Sequence, residues 1–300
     1  MERELETRGA VSSHPRRPSL TPYLLIAPAL TLLFIFNLLP SLAVFLVSLF
    51  HWNLASPPRF VGLKNYQELL HSASVGHALE VTALYALGVV LGTLVLGLAI
   101  AYAMSEVRRA QGFYRTAYLL PYVLPLVSTS VIWLWIYQPQ FGILNSILGS
   151  LHLPQPGWIE STRYALPSVI LFTLWHDVGF SSLILLAALL GVPRELKESA
   201  RVDGASEATI FFRISLPWIT PALLFVTIVT TLSSFRSFTQ IYELTGGGPV
   251  HATTVLAFLI YLEGFQFFRF GYAAALSVLL FVILVALTWA QLRLGRGVRP

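Results

Sequence analysis

Apolar residues in this chain come in long unbroken runs, with neither the alternation of a half-buried strand nor the one-sided stripe of a soluble helix. The runs fall at roughly 23–50, 78–104, 113–137, 166–190, 217–241 and 271–292. Each holds about 20 residues or more, which at 1.5 Å per residue covers a hydrocarbon layer of ~30 Å. The longer runs must tilt or protrude. The pattern predicts six membrane-spanning helices, and its lack of alternation argues against a membrane β-barrel. The first run is too long for the apolar region of a cleaved signal peptide and reads as a retained span. The polar, Arg-rich residues 1–21 then form a loosely ordered tail, residues 22–293 the membrane domain, and residues 294–300 a second tail.

Composition agrees. Hydrophobic residues make up 56% of the chain, charged residues only 11%, and mean hydropathy is +0.72. A soluble domain carries about 25% charged residues. With no cysteine, disulfides, thiolate zinc sites and thiol catalysis are excluded. Neither lysine, Lys64 or Lys197, follows a glycine, so the chain has no phosphate-cradling Gly-Lys-Ser/Thr loop.

The net charge of +5 is explained by placement. Arg3, Arg8, Arg16 and Arg17 precede the first run. Arg108, Arg109 and Arg115 follow the second, Arg194, Lys197, Arg201 and Arg213 the fourth, and Arg293, Arg296 and Arg299 end the chain. These fourteen share one side of a six-span topology; Arg59, Lys64, Arg163 and Arg269 lie on the other, and Arg236 lies within the fifth run. Positive loops stay inside, so both termini and the loop after the fourth span are expected in the cytoplasm of a multi-pass inner-membrane protein. Arginines scattered over four segments also argue against a nucleic-acid surface.

That cytoplasmic loop, 194–216, is polar and helix-forming. Pro193 suits a first helical turn, residues 194–203 favour helix, Gly204 permits a tight turn, and Ser206 can cap a second short helix that stops at Pro217. Two readings remain open on these features. One is an elbow inserted into a partner's groove; the other is an amphipathic connector lying on the membrane.

The spacing within the loop carries a resemblance. Glu198-Ser199-Ala200, three residues, Gly204, nine residues and Ile214-Ser215-Leu216-Pro217 resemble the cytoplasmic signature of permease subunits of binding-protein-dependent ABC importers. Only Ser199 departs from the Glu-Ala-Ala start. The stretches "FVGLKNY" (60–66) and "LTGGGPVHATT" (244–254) resemble carbohydrate-importer permeases, in the class of the larger maltose-transporter subunit and the first glycerol-3-phosphate permease. The loop at 51–77 is too short for the large external domain of the former. The resemblance implies an all-α type I importer permease fold in its compact six-span form, with no cofactor of its own. It implies that Glu198, Ser199, Ala200, Asp203, Gly204, Ala205, Ile214, Leu216 and Pro217 engage an ATPase dimer that binds the ATP. The further partners are a second permease subunit, as a heterodimer, and an extracytoplasmic sugar-binding protein.

Polar groups within spans are costly and mark candidate sites. The fourth run holds His176 and Asp177; the fifth holds Ser233, Arg236 and Ser237, whose spacing predicts one helical face. Pro121 and Pro125 bend the third run, which is tolerable where a helix lines a cavity. A sugar site needs hydrogen-bonding groups and an aromatic platform. By resemblance, substrate contacts fall on Tyr122, on Val178, Gly179 and Ser182, and on Ser233, Arg236 and Ser237; a further contact would fall on Leu126, which is apolar here. Arg236 either lines the path or pairs with Asp177. His14, His51, His71, His77, His152 and His251 lie in tails or loops without metal-ligand spacing, and no catalytic grouping is evident. The alternative function is a self-contained secondary transporter or channel, which would leave the cytoplasmic signature unexplained.

Overall fold

The structure, a computed structural model, describes residues 21–53, 55–106 and 111–295. The chain divides into two compact units, Met1–Leu46 and Val47–Pro300.

The described residues of the first unit are helical: α1 (Thr21–Leu33), a π-helical turn (Phe34–Leu38) and the start of α2 (Leu39–Val47). Every residue from 24 to 43 is exposed. Such uniform apolarity suits lipid or another helix as its solvent. The π turn ends just before Pro40, which lacks an N–H and crowds the carbonyl four residues back; a widened turn absorbs both defects. The same arrangement recurs where a π turn at Phe211–Ser215 precedes Pro217.

The second unit begins with a two-residue hairpin, β1 (Phe50–His51) against β2 (Arg59–Phe60). This is the one departure from an all-α chain among the described residues, and it ends the first span at Val47 rather than at residue 50. Asn65, on α3 (Lys64–His71), fixes the crossing. Its amide donates to the Ser48 carbonyl at 2.7 Å and the Phe50 carbonyl at 3.0 Å, so the buried turn leaves neither acceptor bare. Much of the "FVGLKNY" stretch therefore has a structural task.

Next come α4 (Ala73–Glu106), α5 (Gln111–Val123), α6 (Leu126–Ile136), α7 (Ile143–Ser150) and α8 (Ala165–Leu190). Then follow α9 (Arg194–Val202), α10 (Glu207–Ile210), α11 (Leu216–Trp218), α12 (Thr220–Phe235) and α13 (Thr239–Leu244). The last are α14 (Leu256–Tyr261) and α15 (Phe270–Gly295). Four helical stretches are long and apolar enough to cross a membrane alone. Counting each of two bent pairs as one span brings the total among the described residues to six: residues 112–136, broken by 95°, and residues 207–235, broken by 66°. The predicted bend at Pro121 and Pro125 is thus a full break. The fifth run departs further from expectation. Its helix begins before Pro217, turns sharply at Ile219 and ends at Phe235, short of residue 241.

The core lies between α4 and α8, the most extensively paired helices. Tyr85, Val89, Val169 and Phe172 are fully or nearly fully buried there, joined by Trp133 of α6 and Ile241 of α13. Where no hydrophobic force separates helix from lipid, close approach of small residues sets the packing. A Cβ on Gly92 would lie 2.6 Å from Leu174 Cδ1, and one on Gly271 would strike the Phe50 carbonyl.

These contacts predict opposite signs for two glycine substitutions. Gly271→Ala is expected to destabilise by about 1–3 kcal/mol through overpacking against backbone. Gly76→Ala, at an open position in α4, is expected to stabilise by about 0.5–1 kcal/mol. Thermal unfolding midpoints of the purified protein check both.

Candidate functional site

The 194–216 loop folds as an elbow, and its sequence accounts for each part. Pro193 is the residue before α9 rather than within its first turn. At the C-terminus of α9, Gly204 has φ +80°, a conformation that a side chain resists. Its N–H donates to the Arg201 carbonyl at 3.0 Å, and the Ala205 N–H to the Ala200 carbonyl at 2.9 Å. This pair of bonds is a Schellman motif, which satisfies the last carbonyls of the helix. Ser206 Oγ then accepts from the Thr209 N–H at 3.3 Å and caps α10. The second helix does not stop at Pro217 but runs on to Trp218.

Arg201 and Glu207 brace the two arms, with contacts of 2.7 and 3.2 Å. Val202 at the bend is 88% exposed, and Glu198 and Asp203 are exposed beside it. An apolar side chain so presented among charges is a knob without a socket on its own chain. The elbow rests on the end of α4, where Tyr102 meets the Phe211 ring edge-on at 4.8 Å. Ile214 and Leu216 pack partly buried toward α8 and α12, against a cluster that includes Leu189 and Ile219.

The other end of α4 carries a second device. At 1.5 Å per residue a 34-residue helix is roughly 50 Å long, so the two ends are well separated. There the 245–254 loop is tied by Thr245 Oγ1 to Thr253 Oγ1 at 2.7 Å and by Thr254 Oγ1 to the Gly247 carbonyl at 3.0 Å. His77, expected in a solvated loop, lies within α4 and meets the His251 carbonyl at 3.1 Å. Nearby, Arg269 pairs with Glu68 and with Glu263 (3.1 Å) beside a cavity of about 180 Å³ lined in part by Trp52, Lys64 and Tyr272. Burial pushes the Glu263 carboxyl above its usual range, against the opposing pull of Arg269.

Between these ends lie the polar side chains of the spans. Tyr122, beside the break in the third span, stacks on Phe180 of α8 with centroids 4.8 Å apart and planes within 10°. Val178 is half-buried. Gly179 is buried, and a Cβ there would strike the Tyr118 carbonyl, so its smallness lets α5 approach α8. Ser182 is buried and donates to the Gly179 carbonyl at 2.8 Å.

The single face predicted for Ser233, Arg236 and Ser237 is not formed, because α12 ends at Phe235 and Arg236 is its C-cap. Ser233 and Arg236 are exposed, whereas Ser237 is buried. Gln240 Nε2 donates to Ser237 Oγ at 2.9 Å and to Tyr85 Oη at 2.8 Å; Tyr85 Oη also bonds Thr173 Oγ1 at 2.8 Å. This network closes the break in the fifth span against α4 and α8. Tyr85 and Thr173 went unnoticed in the sequence; a tyrosine near the middle of an apolar run was the available signal. The pairing of Arg236 with Asp177 is not formed either: Asp177 Oδ1 takes His176 Nδ1 at 2.6 Å. No group of three or more His, Cys, Asp or Glu suited to a metal occurs among the described residues.

The family model for the "binding-protein-dependent transport system inner membrane component" matches residues 93–300. The chain belongs to this family. The permease is 35% identical over 278 residues to the probable ABC transporter permease protein YurN of Bacillus subtilis (strain 168), covering 91% of this chain and 94% of that one. It is 33% identical to the trehalose/maltose transport system permease protein MalF of Thermococcus litoralis, covering 91% and 93%. It is also 33% identical to the sn-glycerol-3-phosphate permease UgpA of Agrobacterium fabrum, again covering 91% and 93%. Its fold matches a chain in the crystal structure of a bacterial alginate ABC transporter with TM-score 0.80 and 22% identity, covering 92% and 94%.

Two predictions test the geometry. Removing both Tyr85 Oη (Tyr85→Phe) and the Gln240 amide (Gln240→Leu) is expected to cost less than the sum of the single changes. The coupling should be about 0.5–3 kcal/mol by double-mutant thermal unfolding. At the elbow, Arg201 holds the Glu207 carboxyl below its usual range, so the brace is present at neutral pH and is lost as pH falls through that lowered value. Amide exchange at Gly204–Thr209, corrected for its intrinsic pH dependence, should quicken on acidification, and Glu207→Gln should show the quicker exchange throughout.

Proposed function

We propose that this permease is one of two membrane subunits of an ATP-driven importer of carbohydrate. A separate ATPase dimer holds the elbow, and an extracytoplasmic binding protein delivers the sugar. The observation that carries the reading is the elbow itself: a glycine bend with an 88%-exposed valine at its tip, braced by an ion pair and rooted at the base of α4, α8 and α12. A self-contained transporter has no use for such a knob; a subunit driven by a motor needs one. The sugar class is supported by the trehalose/maltose and glycerol-3-phosphate relatives. It is also supported by the aromatic stack of Tyr122 and Phe180, with the His176 ring 6.0 Å from Tyr122, since a sugar's ring face is met by an aromatic platform.

In this mechanism ATP binding closes the ATPase dimer, the elbow carries that movement to the spans, and the path changes from inward-facing to outward-facing. Both termini and the elbow lie in the cytoplasm, as the positive-charge asymmetry requires. The partner permease is a different chain in a heterodimer, and the path holds the sugar weakly, with Tyr122, Ser233 and Arg236 accessible to it. Val178, Gly179, Ser182 and Ser237 support its walls.

The double variant Glu198→Ala/Gly204→Arg is expected to abolish ATP-coupled sugar uptake in an assembled complex, and unchanged uptake refutes the coupling role. Because the chain has no cysteine, Val202→Cys gives a single label. It should crosslink to the ATPase and react with thiol reagents only from the cytoplasmic side, whereas Val250→Cys should react from outside.

A further inference from the structure

Where the first span ends and the sixth begins, the chain builds a cavity to which the transport mechanism gives no task. It holds about 180 Å³ and is lined in part by His51, Trp52, Lys64, Glu68, Arg269 and Tyr272. A pocket that encloses a drug-sized ligand runs to ~300–1,000 Å³, so this one suits a small polar group whose remainder lies outside. β1 starts three residues after α2 ends at Val47, and Tyr272 belongs to the first turn of α15. The cavity therefore lies at the level where the spans leave the hydrocarbon.

Its charges are arranged in two groups. Arg269 is engaged by the protein: Nη2 donates to Glu68 Oε1, Nη1 to Glu263 Oε2 at 3.1 Å, and the guanidinium lies 4.1 Å from the centre of the Tyr272 ring. These contacts hold Glu68 on the cavity wall and leave its Oε2 without a donor among the described residues. Lys64 lies four residues before Glu68 on the same face of α3, yet it forms no ion pair among the described residues. Neither the Trp52 indole N–H nor the His51 ring has a hydrogen-bond partner among them. The wall thus offers donors on one side and a carboxylate oxygen on the other. Lys64 and Arg269 balance Glu68 and Glu263, so the site carries no net charge.

The surroundings are apolar. Phe60, Phe265, Phe267 and Phe268 are 69%, 64%, 59% and 54% exposed. Phe265 meets Phe270 with centroids 6.0 Å apart, and Phe270 meets Trp52 at 5.8 Å, so aromatic surface runs up to the cavity itself. Exposed phenylalanines are at home at the acyl boundary of a bilayer, with Trp and Tyr at headgroup level.

We propose that this cavity binds the headgroup of a zwitterionic phospholipid with a primary ammonium, a phosphatidylethanolamine. Lys64, the Trp52 N–H and His51 meet the phosphate, Glu68 Oε2 accepts from the ammonium, and the acyl chains run along the exposed phenylalanines. A wall without net charge discriminates against an anionic headgroup. A quaternary ammonium, as in phosphatidylcholine, has no N–H to give Glu68. The assignment does not depend on which solute the permease carries.

The test uses the assembled complex, delipidated in detergent and titrated with phosphatidylethanolamine, phosphatidylglycerol, phosphatidylcholine or free phosphoethanolamine. Native mass spectrometry counts the molecules bound. One phosphatidylethanolamine per copy of this chain is expected to bind more tightly than either other lipid. Lys64→Gln and Trp52→Phe should each weaken it about tenfold, the scale of one hydrogen bond to a charged group. Glu68→Gln should remove the preference for phosphatidylethanolamine over phosphatidylcholine; that ratio is read within one variant, so a general loss of stability does not mimic it.

Equal binding of the three lipids overturns the assignment, as does wild-type phosphatidylethanolamine binding in Lys64→Gln and Trp52→Phe. Free phosphoethanolamine binding as tightly as the lipid marks a site for a soluble ligand and also overturns it. If the variants keep their lipid and instead weaken capture of the extracytoplasmic binding protein, the face belongs to that protein and the lipid assignment falls.

Discussion

The interior of the spans answers one constraint: a backbone carbonyl or N–H at membrane depth must find a partner within the protein. Long helices meet it automatically, and α4, α8 and α15 are long helices. The chain then breaks the rule locally, at Leu124–Pro125, at Ile219 and at Arg236–Phe238, and the first and last of these breaks are covered by specific side chains. His176 faces the Leu124 carbonyl. Gln240, Ser237, Tyr85 and Thr173 form a closed set at the end of the fifth span. Irregular backbone that costs this many side chains to cover is tolerated where it lines a path.

The same constraint links the interior to the elbow. Because α4 carries the elbow at one end and the 245–254 loop at the other, a push at Phe211 and Tyr102 acts on an element whose far end touches His251. Between them, Gly92 and its neighbours set α4 against α8 with side chains already in contact. A tightly packed helix pair has little room for continuous deformation and moves as a body. Gly204, Ser206 and the Arg201–Glu207 pair serve the opposite purpose. They hold a surface turn in one shape, so that in the proposed mechanism displacement of its tip is carried inward rather than absorbed.

Much of this was legible in the sequence, for identifiable reasons. Run length gave the number of spans, and the prolines at 121 and 125 marked the break in the third. Gly204 and Ser206 marked the elbow because glycine is favoured at a left-handed C-cap and serine at an N-cap. The spacing from Glu198 to Pro217 pointed to the family. What escaped was tertiary. Nothing local says that α12 stops at Phe235, since Arg236, Ser237 and Phe238 are all acceptable in a helix. The three polar residues therefore read as one face when they occupy different environments. Likewise, Arg236 and Asp177 attract on paper, but His176 is adjacent to Asp177 and reaches it first. Gly179 read as a sugar contact; that it also admits the Tyr118 backbone depends on the packing of α5 on α8 and had no local signal.

The central claim is that the broken third and fifth spans line a path whose open side is switched by an ATPase acting at the elbow. The most direct measurement is the accessibility of a single cysteine at position 233 in the full complex, using a membrane-impermeant thiol reagent applied from each side. The account predicts labelling from the cytoplasmic side without nucleotide and from the external side when ATP is trapped with vanadate. Labelling from one side regardless of nucleotide, or no labelling from either, would contradict it.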